Sequence, residues 1–215
     1  MSKIYVSKEA NSHLIKYLEE QGHKVSLMES KADIDPPISC HPDIYMCQLN
    51  PGMIFHGKPE KLGRDYPSHA IYNGCSTGKY FIHNLKITDA ELLEAVSDSG
   101  LISVHVPQGY SKCSIVVVDD NSILTSDRGI FKAASKAGLD ILLIEPKQVI
   151  LHGYPYGFLG GASGRIGDTI LFNGDLSKHS DFNEICRFIT SRGLKIKYFA
   201  EYPLTDIGSI MQEKE

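Results

Sequence analysis

No CxxC pair occurs anywhere in this chain, and its five cysteines, Cys40, Cys47, Cys75, Cys113 and Cys186, are odd in number and scattered. That spacing fits neither a zinc ribbon nor a disulfide framework. An excess of positive charge is missing as well. The net charge is −4 at pH 7, so no basic field exists to hold nucleic acid through counterion release. Long apolar runs are absent: stretches such as Ile115 to Val118 and Ile141 to Ile144 fall far short of the roughly 20 residues that span a bilayer. The opening Met1 to Val6 has no apolar core ahead of Lys8, so no signal peptide is expected, and a reduced cytoplasm is the expected location. Low-complexity segments and long linkers are lacking too, which predicts one domain over residues 1–215.

What is present is a repeat. Five strands, four of them close behind a hairpin turn and one at the N-terminus, close on a small polar residue or a histidine: Lys3 to Ser7, Met53 to His56, Lys79 to Asn84, Ser122 to Ser126 and Thr169 to Asn173. Their starts lie 50, 26, 43, 47 and 49 residues apart, the last interval running from the C-terminus round to the N-terminus. Repeats near this period outrank local motifs in deciding the fold. After four of the five strands come an amphipathic helix, a glycine and another strand. In one unit Thr88-Asp89-Ala90-Glu91 reads as a capping box with Thr88 at the N-cap, Leu92, Leu93 and Val96 form the apolar stripe, and Gly100 ends the helix. Gly138, Gly193 and Gly22 play that part in the others. Asp120-Asn121 and Gly167-Asp168 read as hairpin turns, so each unit is strand, turn, strand, helix, strand. Residues 57–67, with Pro59, Gly63 and Pro67, offer a turn of helix at best.

The last hairpin lacks its second strand near the C-terminus, and Lys3 to Ser7 at the N-terminus is the missing partner. Units repeated in this way bury their edges by closing a ring fastened by the two ends of the chain. The alternative is a three-layer α/β sandwich in which the first and last strands happen to be neighbours. In a ring, the first strand of each hairpin starts near the axis, and its first side chains converge. Those positions are His41 and Asp43, Ser111 and Cys113, Gly160 and Gly161, with Asp206 and Ser209 in the final unit and Tyr72-Asn73-Gly74-Cys75 in the irregular one.

His41-Pro42-Asp43, read as a strand, projects an imidazole and a carboxylate from one face, where the acid orients the base. Cys75 lies in a polar, glycine-flanked segment, and a thiol near an imidazole attacks electrophilic carbon. Cys113 is the rival nucleophile, next to Lys112. Either thiol can equally be inert packing, and Cys186, on an apolar helical stripe, reads as core. Gly157 to Arg165 is glycine-rich but has neither the GxxxxGK[ST] order nor a helix after it; close backbone approach explains these glycines better than phosphate binding. Arg165 reads as a carboxylate clamp or a solvent-facing charge.

Together these features resemble the pentein superfamily of guanidino-modifying enzymes, which are five-bladed ββαβ propellers. The resemblance rests on the repeat, on His41-Pro42-Asp43-Ile44-Tyr45, and on Cys75 in the unit that follows. Leu159-Gly160-Gly161-Ala162 falls two units before His41 around the ring, in the superfamily's cyclic order but with the chain start shifted as in a circular permutation. Leu159 and Ala162 depart from the pattern, standing where the superfamily places carboxylates. The resemblance implies an α/β propeller of five-fold pseudosymmetry closed by its terminal strands. It also implies a cysteine-dependent hydrolase of the deiminase type acting on a small guanidine or amidine. Cys75 would be the nucleophile and His41 the proton shuttle, with Asp43, Asn73, Asp206, Gly161 and Ser209 binding the substrate. No metal or organic cofactor is expected, and neither a nucleic-acid nor a membrane partner. The same propeller also has a non-enzymatic branch, resembling translation initiation factor six. The alternative function is therefore a non-catalytic binder of a small ligand or a protein partner.

Overall fold

Turn residues and apolar stripes set the elements in the computed structural model, which describes residues 2–214. In chain order these are β1 (Ser2–Ser7), α1 (Ser12–Glu20), β2 (Lys24–Met28), α2 (Pro42–Tyr45), β3 (Met46–Asn50) and β4 (Met53–His56). Then follow β5 (Cys75–Ser76), β6 (Tyr80–His83), α3 (Ala90–Asp98), β7 (Ile102–His105), α4 (Ser111–Ser114), β8 (Ile115–Asp119) and β9 (Ser122–Thr125). The rest are α5 (Arg128–Lys136), β10 (Asp140–Leu143), β11 (Ser163–Ile166), β12 (Thr169–Phe172), α6 (Phe182–Thr190), β13 (Lys195–Lys197) and β14 (Met211–Lys214). The four long helices are each followed by a left-handed glycine, Gly22, Gly100, Gly138 or Gly193, which turns the chain into the next strand. The cap of α3 is Asp89, whose carboxylate accepts from the amides of Glu91 and Leu92. Thr88, expected in that position, instead donates to Asn84 O and meets His83, so the cap lies one residue later than the capping-box pattern implies.

The chain is a mixed α/β protein whose described residues form five small sheets. Four have three strands in the orders β5-β6-β7, β8-β9-β10, β11-β12-β13 and β14-β1-β2, and the fifth is the pair β3-β4. In every one the first two strands are antiparallel, and where a third exists it runs parallel to the second across a helical crossover. The N-terminal strand pairs with the C-terminal one in the register Ile4 with Gln212 and Tyr5 with Met211. The Tyr5 hydroxyl donates to Glu213 across the same junction at 2.7 Å. Between Gly57 and Pro67 the chain makes only a 3₁₀ turn at Pro59–Lys61, as expected.

Packing links these sheets in sequence. Among the described residues there are five apolar clusters, and each draws on two neighbouring units. Cys47 and Leu49 meet Phe81 and Leu92. Tyr80 and Ile82 meet Ile115 and Ile130. Val116 and Leu124 meet Ile170 and Ile185. Leu171 meets Ile4, Val6 and Leu14, and Tyr5 and Met28 meet Ile44 and Met46. No helix among the described residues is long and apolar enough to cross a membrane.

Candidate functional site

His41, Pro42 and Asp43 do not form the strand expected of them. Pro42 occupies the first position of α2, where its missing N–H costs nothing, and His41 is the N-cap. A single helical turn therefore sends the two side chains in different directions. Asp43 is fully buried, with its amide donating to Gly208 O, while His41 lines a cleft. α4 repeats the arrangement two units on: its turn aims Cys113 inward and begins strand β8.

Cys113 and Asp43 meet. The thiol donates to Asp43 Oδ2 at 3.0 Å, and the Ser209 hydroxyl donates to the same oxygen at 2.8 Å. The other oxygen, Oδ1, is buried without a partner among the described residues. Asn73 ties the cluster together. Its Nδ2 donates to Asp43 O at 3.2 Å and faces Cys113 Sγ at 3.4 Å, while its Oδ1 accepts the amides of Lys112 and Cys113. Lys112 Nζ donates to Ser209 Oγ at 3.1 Å, completing a chain from ammonium through hydroxyl to carboxyl. Ser209 holds its place with φ of 75°, a strained conformation for a residue that is not glycine.

Asp206 forms a second buried carboxyl group. Phe158 N donates to one oxygen at 2.9 Å and Gly208 N to the other at 3.0 Å. His41 Nδ1 lies 3.9 Å from Asp206 Oδ1. Gly160 and Gly161 explain how these segments come so close. A Cβ on Gly160 would overlap the carbonyls of Lys112, Cys113 and Ile115, and one on Gly161 would overlap the Asp206 carboxyl. Gly161 also joins the walls through its backbone, donating to Cys113 O and accepting from Ile207 and Ser209. The glycine-rich segment is thus a close-approach element rather than a phosphate loop.

Burial dominates the electrostatics. It raises Asp43, with the neighbouring Asp206 charge adding to the rise, and it pushes Asp206 up to about 6 against two stabilising amide donors. His41 is pushed down by burial, which leaves its imidazole neutral at pH 7. Burial and the Asp43 charge hold the Cys113 thiol well above its ordinary value, so it rests as S–H donating to carboxylate.

His41, Cys113 and Asp206 open into one cleft of about 260 Å³, walled by Tyr110, Tyr154, Tyr156 and Phe158. The aromatic wall was not anticipated. Its only signal is the alternating Tyr154-Pro155-Tyr156-Gly157-Phe158, which reads equally well as a loop. Of the eight residues singled out, the structure brings together His41, Asp43, Asn73, Cys113, Gly161, Asp206 and Ser209. Cys75 stands apart, in β5, packed in the cluster that contains Tyr80, Ile82 and Ile123, with its thiol pushed up to about 12 by burial. Cys186 is only partly buried rather than core. Leu159 and Ala162 lie in an apolar cluster. Among the described residues, no three His, Cys, Asp or Glu side chains are grouped as metal ligands would be.

Residues 52–211 match a family described as a family of unknown function, DUF6873, and the chain belongs to that family. The matched span contains Asn73, Cys113, Gly161, Asp206 and Ser209, and leaves out His41 and Asp43. No curated protein matches the chain.

Proposed function

We propose that this DUF6873 member is a five-unit α/β propeller of the pentein type. Its axial cleft takes a small, flat cation of the amidine or guanidine class, and Cys113 rather than Cys75 attacks the central carbon. The ring is supported by the pairing of β1 with β14 and by the five apolar clusters, which link successive units and return to the first. The chemistry rests on one observation: the Cys113 thiol, which lines a cleft with His41 and Asp206, donates to the buried Asp43 behind it. Aromatic faces attract cations, and Asp206 supplies the counter-charge that Leu159 and Ala162 lack.

In the first step Asp43 accepts the thiol proton as the S–C bond forms, and the Asn73 amide stabilises the developing thiolate. The proton then passes to the departing nitrogen, which leaves as ammonia or an amine, and a thiouronium-like cation stays on sulfur. Water adds to the same carbon and gives a proton to His41, which protonates the released amine. Collapse of the adduct breaks the C–S bond and returns the hydroxyl proton to sulfur. The net change is amidinium plus water to amide (urea, from a guanidine) plus ammonium.

A second reading has one observation in its favour. The resting thiol is protonated and fully hydrogen-bonded, as suits a polar wall in a non-catalytic binding cleft. Incubation with 2-chloroacetamidine followed by mass spectrometry separates the two. The hydrolase reading expects one time-dependent adduct at Cys113, lost in Cys113→Ala and retained in Cys75→Ala. Reversible protection of the cleft by amidines without any adduct would favour the binder.

A further inference from the structure

A second cavity, of about 170 Å³, lies toward the hairpin turns. Every unit contributes to it: Asn50, Thr77, Val117, Arg165 and Gln212 come one from each. Its charged lining is Lys112, Arg165 and Lys214, with neither Asp nor Glu. Asp120 abuts Gly78 at the rim but is not part of the wall. Among the described residues no carboxylate lies within ion-pair distance of any of the three cations. Lys112 and Arg165 are half-buried, so their charges are less screened than they would be at an open surface.

The donors are held in place with capacity to spare. Arg165 Nε donates to Gly167 O at 3.1 Å and Nη1 to Val118 O at 2.7 Å, which fixes the guanidinium plane and leaves Nη2 without a partner among the described residues. Lys112 Nζ spends protons on Ser209 Oγ and Gly160 O and keeps a third. Gln48 Oε1 accepts the Gln212 amide at 3.2 Å, and its NH₂ has no partner among the described residues. Fixed cationic donors around a small, acid-free cavity are the arrangement that recognises an oxyanion. A cavity of this size, below the roughly 300 Å³ at which drug-sized sites begin, suits a small anion.

We infer that this cavity is a binding site for a small oxyanion, phosphate or a short dicarboxylate, held by Arg165 and Lys112 with Lys214 at the rim. This site shares Lys112 with the hydrogen-bond chain through Ser209 to Asp43, but its lining is otherwise distinct from that of the tyrosine cleft and it needs no reaction at Cys113. Isothermal titration of the full chain with inorganic phosphate, and separately with succinate, tests it against chloride at equal ionic strength. Saturable binding of at least one probe is expected. Tighter phosphate binding would mark a tetrahedral site, and tighter succinate binding a dicarboxylate site. Arg165→Gln is expected to weaken the affinity by about tenfold or more, and Lys214→Met, at the exposed rim, by about threefold. Cys113→Ala should leave it unchanged, so the thiol chemistry and this site stand or fall independently. If Arg165→Gln does not fold, Arg165→Lys keeps the charge but loses the planar donor pair, and should still bind several-fold more weakly. No saturable binding of either probe, or full affinity in a folded Arg165 variant, overturns the assignment.

Discussion

Cys75 and Cys113 are equally hidden and chemically unlike. Cys75 sits in β5 among aliphatic and aromatic side chains, and no hydrogen bond reaches its sulfur among the described residues. Cys113 sits at the foot of β8 between an amide donor and a carboxyl acceptor and touches a cleft. Burial raises both thiols, so burial does not tell a reactive cysteine from an inert one. What differs is whether a neighbour can take the proton and whether a ligand can arrive.

The largest test of that contrast is labelling by 2-chloroacetamidine. Cys113→Ala should abolish it, and Cys75→Ala should leave the rate within about twofold. Next, Asp43→Asn removes the proton acceptor while keeping the shape, and the labelling rate should fall by about a hundredfold, the low end for loss of a general base. A stability comparison follows. Cys75→Ser places a hydroxyl in an apolar cluster and should cost about 1–3 kcal/mol by urea denaturation, whereas Cys113→Ser keeps a donor to Asp43 and should cost less. The smallest effect is in the pH dependence. Asp206 has a folded-state value of about 6 against 3.8, so the folded chain binds the extra proton. Its contribution is complete below about pH 4 and is lost as pH rises toward 6, on the order of 2–3 kcal/mol at most. Asp206→Asn should flatten that decline in melting temperature; an unchanged slope would assign it to other groups such as Asp43.

Much of this was legible in the residues, and for physical reasons. Period-two and period-3.6 patterns, with Gly22, Gly100, Gly138 and Gly193 as helix terminators, announce the repeat because each is a local property of the chain. The partner of β14 was legible because a hairpin with a missing strand must find one elsewhere. The cluster around Asp43 was half legible: the starts of the first hairpin strands reach His41, Asp43, Cys113 and Gly161, while Asp206 and Ser209 come only by analogy, since the final unit has no turn of its own. The choice between thiols was not, because Cys75 and Cys113 differ only in what tertiary packing puts beside them. The helical turns at α2 and α4 were also missed. Four residues are too few for periodicity to separate a turn from a strand, and Pro42 suits either.

Pairing β1 with β14 also sets an order of events during synthesis. The residues joined at that seam are 208 positions apart, so at ordinary elongation rates of about 5–20 residues per second the first strand waits roughly 10–40 s for its mate. For that time Ile4, Val6 and Leu14 have their helix but not the surface that buries them. A nascent chain stalled before Met211 should therefore be protease-sensitive at its N-terminus while its middle units are already protected.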